Sequence, residues 1–225
     1  MTGFLASIKN TQEAELILSE KIDIVDFKKV GDGALGYVGE KIINQGIELL
    51  QDHVISVTMG NDKNPNNENN IKNINYIIKN GIEYLKIGLF DTKMINQHER
   101  LFEKINFLNT KPICVVFADQ SFDLSLMQKI INIGYKGIMI DTCNKNSKST
   151  LDLIDIQDIK KFINVVKRNK LICGISGSLK IHHINKLKDL DIDFLGFRGQ
   201  LCSNSSNRKT LDINQINKVS REITN

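Results

Sequence analysis

Short β-branched runs alternate with longer stretches of helical period along the whole chain. The runs are FLASI (4–8), IDIVDFK (22–28), VISVTMG (54–60), YLKIGLF (84–90), PICVVFA (112–118), GIMIDTC (137–143), LICGISG (171–177) and FLGFRG (194–199). Between them lie segments such as EKIINQGIELLQ, MINQHERLFEKINFL and IQDIKKFINVVKRN, with apolar residues near i, i+3, i+4 and i+7. That spacing puts one apolar stripe on each helix, where it packs on a sheet. Eight strands, each followed by a helix, predict a single-domain (β/α)8 (TIM) barrel spanning residues 1–225. A doubly wound open sheet is the alternative, but it usually has fewer strands and gives no reason to stop at eight. The Asn-rich stretch 64–75 reads as the loop into the third helix, its composition reflecting codon bias rather than a site.

In a barrel strand, side chains point alternately to the interior and to the helices. In the fourth run Leu85, Ile87 and Leu89 form the helix-facing set, which turns Tyr84, Lys86, Gly88 and Phe90 inward. In the second, Val25 and Phe27 face the helices, while Ile22, Ile24, Asp26 and Lys28 face in. In the sixth, Met139, Asp141 and Cys143 face in, and Lys145 follows two residues later. Lys28, Lys86, Lys145, Asp26 and Asp141 therefore gather at the C-terminal ends of alternate strands, the face where barrel enzymes keep their chemistry. A structural ion pair is the plain reading of any one of them. Three buried lysines are hard to explain by stability, because apolar replacements of such pairs are often neutral or stabilising. The functional reading is a neutral amine, generated by neighbouring ammonium groups, that attacks a carbonyl and forms a Schiff base. Asp26 and Asp141 would shuttle protons and keep the other lysines charged.

GISGS (174–178) and FRG (197–199) end the last two runs, at the habitual phosphate site of this fold. Ser176 or Ser178 would add a hydroxyl, Arg198 a charged fork, and Gly177 and Gly199 close backbone approach. Simple turn formation is the competing explanation. GDGALG (31–36) matches the dinucleotide fingerprint, but no acidic residue ends the following strand, so it reads as a flexible loop over the lysines.

Composition narrows the picture further. With 225 residues, 41% of them hydrophobic, and a net charge of +4, a packed core is expected rather than disorder. No apolar run approaches the ~20 residues of a spanning helix, so no membrane role is expected. The N-terminal residues carry no secretory pattern. The charge is too weak and dispersed for nucleic acid and suits a small anionic metabolite. Cys114, Cys143, Cys173 and Cys202 fall 29, 30 and 29 residues apart, which is the βα repeat itself rather than a metal or disulfide pattern. A reducing cytoplasm fits. His182 and His183 read as solvated at a helix start, and His53 and His98 as surface residues. Self-association into a homo-oligomer is left open.

The segments IDIVDFKKVGDGALG (22–36), VISVTMGN (54–61), IEYLKIGLF (82–90), IMIDTCNK (138–145), SGSL (176–179) and DFLGFRGQLC (193–202) resemble the (5-formylfuran-3-yl)methyl phosphate synthases of methanofuran biosynthesis. The resemblance runs in order over nearly the whole chain. It implies a cofactor-free lyase that condenses two molecules of glyceraldehyde 3-phosphate, losing one phosphate and water; the absence of metal-ligand spacing separately predicts a metal-independent reaction. It also implies that Lys28 is the Schiff-base residue, with Asp26 beside it. Lys86, Lys145 and Asp141 match the remaining charged positions, the two lysines assisting phosphate binding and departure. The chain departs from the pattern at Lys28-Lys29-Val30 and in the Asn-rich stretch. A class I aldolase of another sugar phosphate and a non-catalytic phosphate-metabolite binding barrel are the competing functions.

Overall fold

A computed structural model describes residues 2–144, 148–204 and 208–224. Eight parallel strands follow one another in chain order around a closed barrel. They are β1 (Gly3–Ile8), β2 (Ile24–Phe27), β3 (Val54–Thr58), β4 (Tyr84–Gly88), β5 (Lys111–Phe117), β6 (Gly137–Asp141), β7 (Ile172–Ile175) and β8 (Phe194–Phe197). β1 pairs with both β2 and β8, which closes the ring. The expected barrel is thus the observed one.

The helices that follow the strands are α1 (Thr11–Leu16), α2 (Glu40–Leu49), α3 (Glu68–Lys79), α4 (Ile95–Lys104), α5 (Met127–Ile133), α6 (Thr150–Leu153), α7 (Ile156–Arg168), α8 (Ile181–Leu187) and α9 (Ile213–Thr224). The periodicity shows directly in burial. Helix α7 buries Ile159, Phe162, Ile163 and Val166, and α9 buries Ile216, Val219 and Ile223. They join the outward strand residues Val25, Phe27, Leu85, Ile87, Ile138 and Ile140 in one layer between barrel and helices. Full burial of each such side chain favours the fold by about 1.5–3 kcal/mol. At Gly46 a Cβ would sit 2.3 Å from Phe27 Cζ, so α2 reaches the barrel at this distance only because the residue is glycine.

The inward set divides in two. Leu5, Ile24 and Phe194 make an apolar floor. Above it, Ile113, Val115, Phe117, Met139 and Leu35 make an apolar wall on one side. Ile22 does not belong to this set: it precedes β2 and packs with the outer layer, because strand alternation begins only at Ile24. The ladders also stop sooner than the β-branched runs do, at Phe27, Gly88, Asp141 and Phe197. Lys28 nonetheless keeps one ladder bond, its N–H donating to the Ile8 carbonyl at 2.8 Å, and so keeps the inward direction that its parity requires.

Two loop expectations change. GDGALG is tied down rather than loose. Asn61 accepts from the Leu35 N–H at 2.8 Å and donates to the Asp32 carbonyl at 2.7 Å, while the Thr58 hydroxyl donates to the Gly36 carbonyl at 2.8 Å. The staple carries Ala34 and Leu35, both buried, into the barrel mouth. In the Asn-rich stretch, Asn67 caps α3 by accepting from the Asn70 N–H, and the Asn64 carbonyl accepts from the Asn67 and Asn70 amides. These asparagines build a helix start, whatever their origin in base composition.

His98 is fully buried rather than at the surface: helix position alone does not reveal that α4 turns it toward Tyr135. Its Nδ1 lies 2.6 Å from the Tyr135 hydroxyl, and its Nε2 has no hydrogen-bond partner among the described residues. Burial pushes its pKa from 6.5 down to about 4. The charged form is therefore favoured in the unfolded chain, so native stability is full above pH 6.5 and falls as pH drops toward 4. One such proton costs up to about 1.4 kcal/mol per pH unit. Urea unfolding across that window should show a shallower acid loss for His98→Gln than for the parent; equal slopes would remove His98 from the acid limb.

Candidate active site

Strand register assembles the polar half of the barrel interior. Ser7 pairs with Asp26 across β1 and β2, and Asp26 with Ser56 across β2 and β3, so the three side chains stand side by side. Ser7 Oγ donates to Asp26 Oδ2 and Ser56 Oγ to Asp26 Oδ1, each at 2.8 Å. Lys86 Nζ, from β4, lies 2.9 Å from the same Oδ1. Asp26 and Lys86 are both buried. Such a pair is tolerated only when its remaining hydrogen-bonding capacity is filled, which the two serines accomplish.

A second pair sits nearer the opening. Lys28 Nζ lies 3.5 Å from Asp141 Oδ2, and the Thr142 N–H donates to Asp141 Oδ1 at 2.7 Å. Lys28 and Asp141 are 5% and 7% exposed, enough to be reached from the mouth. Just past β5, Asp119 accepts from the N–H groups of Cys143 and Asn144, both at 2.7 Å, and anchors the loop that follows β6. Lys145 lies outside the described residues. Lys29, next to Lys28, points the other way and pairs with Asp32 in solvent.

Ser7, Asp26, Lys28, Lys86 and Asp141 line a cavity of about 190 Å³ that is completed by residues 176–180 and 196–200 and by Leu35, Val115 and Met139. Four of the five expected charged residues are therefore brought together. The expected phosphate residues line the same cavity. Gly177 has φ +94° and Ser178 φ +50°, a left-handed turn that carries the chain away from β7. The Ser176 hydroxyl donates to the Ile140 carbonyl at 3.1 Å. The N–H groups of Gly177, Ser178, Gly199 and Gln200 find no protein acceptor among the described residues, although all four residues line the cavity. Successive free N–H groups around a concave turn attract anions.

The turn is held from behind by α6, a short helix that the apolar period does not announce. Thr150 Oγ1 donates to the Ser176 carbonyl at 2.6 Å, and the Thr150 N–H to the Gly177 carbonyl at 3.0 Å. Asp152 accepts from the Ser149 N–H and hydroxyl, which lowers its pKa.

Arg198 is positioned differently from the expected free fork. Nη1 donates to Glu13 Oε2 at 2.5 Å and to the Ser7 carbonyl at 3.2 Å. Nη2 donates to Glu13 Oε1 at 3.0 Å and to the Arg208 carbonyl at 2.7 Å, and Nε to the same carbonyl at 3.1 Å. All five of its donors are thereby engaged within the protein. Its side chain borders the cavity but its hydrogen bonds point into the fold.

His183 is buried rather than solvated: its Nδ1 accepts from the Lys180 N–H at 3.1 Å, and burial lowers its pKa. His182 is exposed, as expected. Cys143 packs against the interior wall, while Cys114, Cys173 and Cys202 are buried. Ser7, Ser56, Glu13 and Arg208 are the site residues not singled out from the sequence. Ser7 and Ser56 follow the same alternation that singles out Asp26 and were legible by it. Glu13 and Arg208 follow no strand period.

The profile of the 4-HFC-P synthase family matches residues 4–220. The chain belongs to this family. It is 27% identical over 210 residues to the (5-formylfuran-3-yl)methyl phosphate synthase of Methanosarcina acetivorans, covering 88% of this chain and 89% of that one. It is 28% identical over 214 residues to that of Methanococcus aeolicus, covering 88% and 89%. Among solved structures it resembles 3-keto-L-gulonate-6-phosphate decarboxylase from Vibrio cholerae at a TM-score of 0.67 and 8% identity, over 99% of this chain and 97% of that one, which is a likeness of fold.

In this 4-HFC-P synthase family member, no cluster of three His, Cys, Asp or Glu among the described residues has the geometry to hold a metal ion. No helix among them is long and apolar enough to cross a membrane. The turn after β7 offers a direct test of the cavity's construction. A Cβ on Gly177 would sit 2.3 Å from Thr150 Oγ1 and 2.9 Å from the Thr142 N, on a backbone that disfavours any side chain. Gly177→Ala is expected to destabilise by about 2–4 kcal/mol, read as a lower urea midpoint; an unchanged midpoint would refute the close packing of α6 on this turn.

Proposed function

We propose that this protein condenses two molecules of glyceraldehyde 3-phosphate into (5-formylfuran-3-yl)methyl phosphate, losing one phosphate and two molecules of water, through a Schiff base on Lys28. The observation that carries the reading is the pair of buried lysine–aspartate contacts in one mouth, in a chain of the furan phosphate synthase family. The relatives' names supply the product, and the chemistry of the mouth agrees with it.

Lys28 in its neutral form adds to the triose carbonyl, and the carbinolamine loses water to leave an imine. The protonated C=N then acts as an electron sink for removal of a proton from the adjacent carbon. Asp141, 3.5 Å from Lys28 Nζ, is the group that takes and returns protons. Lys86 has a different part. With Asp26 at 2.9 Å and that carboxylate filled by Ser7 and Ser56, it serves as a fixed cation for negative charge developing on oxygen or phosphate. Lys145 is assigned to phosphate departure. Ser176, Gly177, Ser178 and Gly199 are assigned to seating the phosphate, mainly through main-chain N–H groups.

Borohydride added with glyceraldehyde 3-phosphate should leave a triose-derived mass on Lys28, and Lys28→Arg should lower turnover by on the order of 10³-fold or more. Label on Lys86 alone would move the nucleophile. A product without the absorbance of a furan aldehyde would sink the synthase reading in favour of an ordinary aldolase.

A further inference from the structure

The loop after β8 carries a second arginine, and its surroundings are unlike those of Arg198. The Arg208 side chain lines the cavity together with Ser178, Gly199 and Gln200. Its guanidinium donates no hydrogen bond and makes no ion pair with the described residues. Its charge lies within electrostatic range of Asp141, so the group reaches back from the loop toward β6. Burial lowers its pKa from the usual arginine value, as for a cation drawn partly out of water without a bound counter-charge.

The backbone of this residue is both unfavourable and firmly held. Arg208 has φ +58°, the left-handed region that a long side chain rarely adopts. Its carbonyl accepts two N–H groups from Arg198, at 2.7 and 3.1 Å, and its N–H donates to the Asn204 carbonyl at 3.1 Å. Arg198 is in turn fixed by both oxygens of Glu13, and Glu13 accepts the Lys9 N–H at 2.9 Å, which ties the assembly to the end of β1. A local strain maintained by a buried, fully bonded ion pair calls for a use elsewhere.

We infer that Arg208 grips the phosphate group of the substrate, opposite the N–H groups of the β7 and β8 turns, and that the Glu13–Arg198 pair is the clamp that aims it. Arg208 thereby supplies the cationic fork that the sequence suggests for Arg198. A guanidinium suits this task because two parallel N–H groups match two phosphate oxygens. The inference rests on the reading that a phosphate ester occupies this mouth, but its test needs no turnover.

The test is calorimetric titration of inorganic phosphate into the full chain and into Arg208→Gly and Arg208→Gln. Both variants should bind phosphate at least about tenfold more weakly. Arg208→Gly should also melt no lower than the parent, because glycine accepts the left-handed backbone that arginine strains. Phosphate binding by either variant within about twofold of the parent would overturn the inference, as would a parent that binds no phosphate. A lower melting temperature for Arg208→Gly would show a structural side chain and also count against it. Failure of Lys28 to trap an aldehyde would refute the proposed chemistry and leave this titration standing on its own.

Discussion

A carboxylate enclosed in the barrel sets the terms for its neighbours. Asp26 is 1% exposed and accepts from Ser7, Ser56 and Lys86 on three other strands. An ionised group in that position costs several kcal/mol unless its lone pairs and its charge are both answered. Ser7 and Ser56 stand beside Asp26 through the parallel register of β1, β2 and β3, and Lys86 reaches it from β4, one strand further on. One buried anion therefore dictates side-chain choice on four strands. Apolar replacements of such pairs are often neutral or stabilising, so stability alone does not account for the arrangement.

The mouth is divided by the same logic. Val115, Phe117, Met139 and Leu35 pack one side without polar atoms, which keeps water and dielectric low beside the lysines. The opposite side presents turns whose residues line the cavity, supported from behind by Thr150 of α6. The closed barrel supplies rigidity, and the loops beyond its strands supply the groups with spare hydrogen-bonding capacity. The GDGALG loop is a fixed part of the mouth. Pinned by Asn61 and Thr58, it brings Leu35 over the site.

Arg198 and Arg208 show how a charge can act by holding another. The first is the more conspicuous in the sequence, directly after a strand at the expected phosphate end. Its five donors are directed to Glu13, Ser7 and the Arg208 carbonyl. The second sits ten residues on and lines the cavity, with its carbonyl accepting two N–H groups of the first.

The periodicities of the chain were sufficient for the barrel and for most of the inward set, Ile22 being the exception. Alternation in β2, β4 and β6 is a local property of the backbone, so Asp26, Lys86 and Asp141 could be assigned to the interior without coordinates. The same rule extends to Ser7 and Ser56. Folding had to decide what depends on contacts between distant segments. Examples are the pairing of Lys86 with Asp26 and Lys28 with Asp141, the burial of His98 against Tyr135, and the support of Gly177 by α6. Glu13 and Arg198 are 185 residues apart in the chain, and no local pattern relates them. A period reports which way a side chain points relative to its own backbone. What it meets there is fixed only when the ring of strands closes.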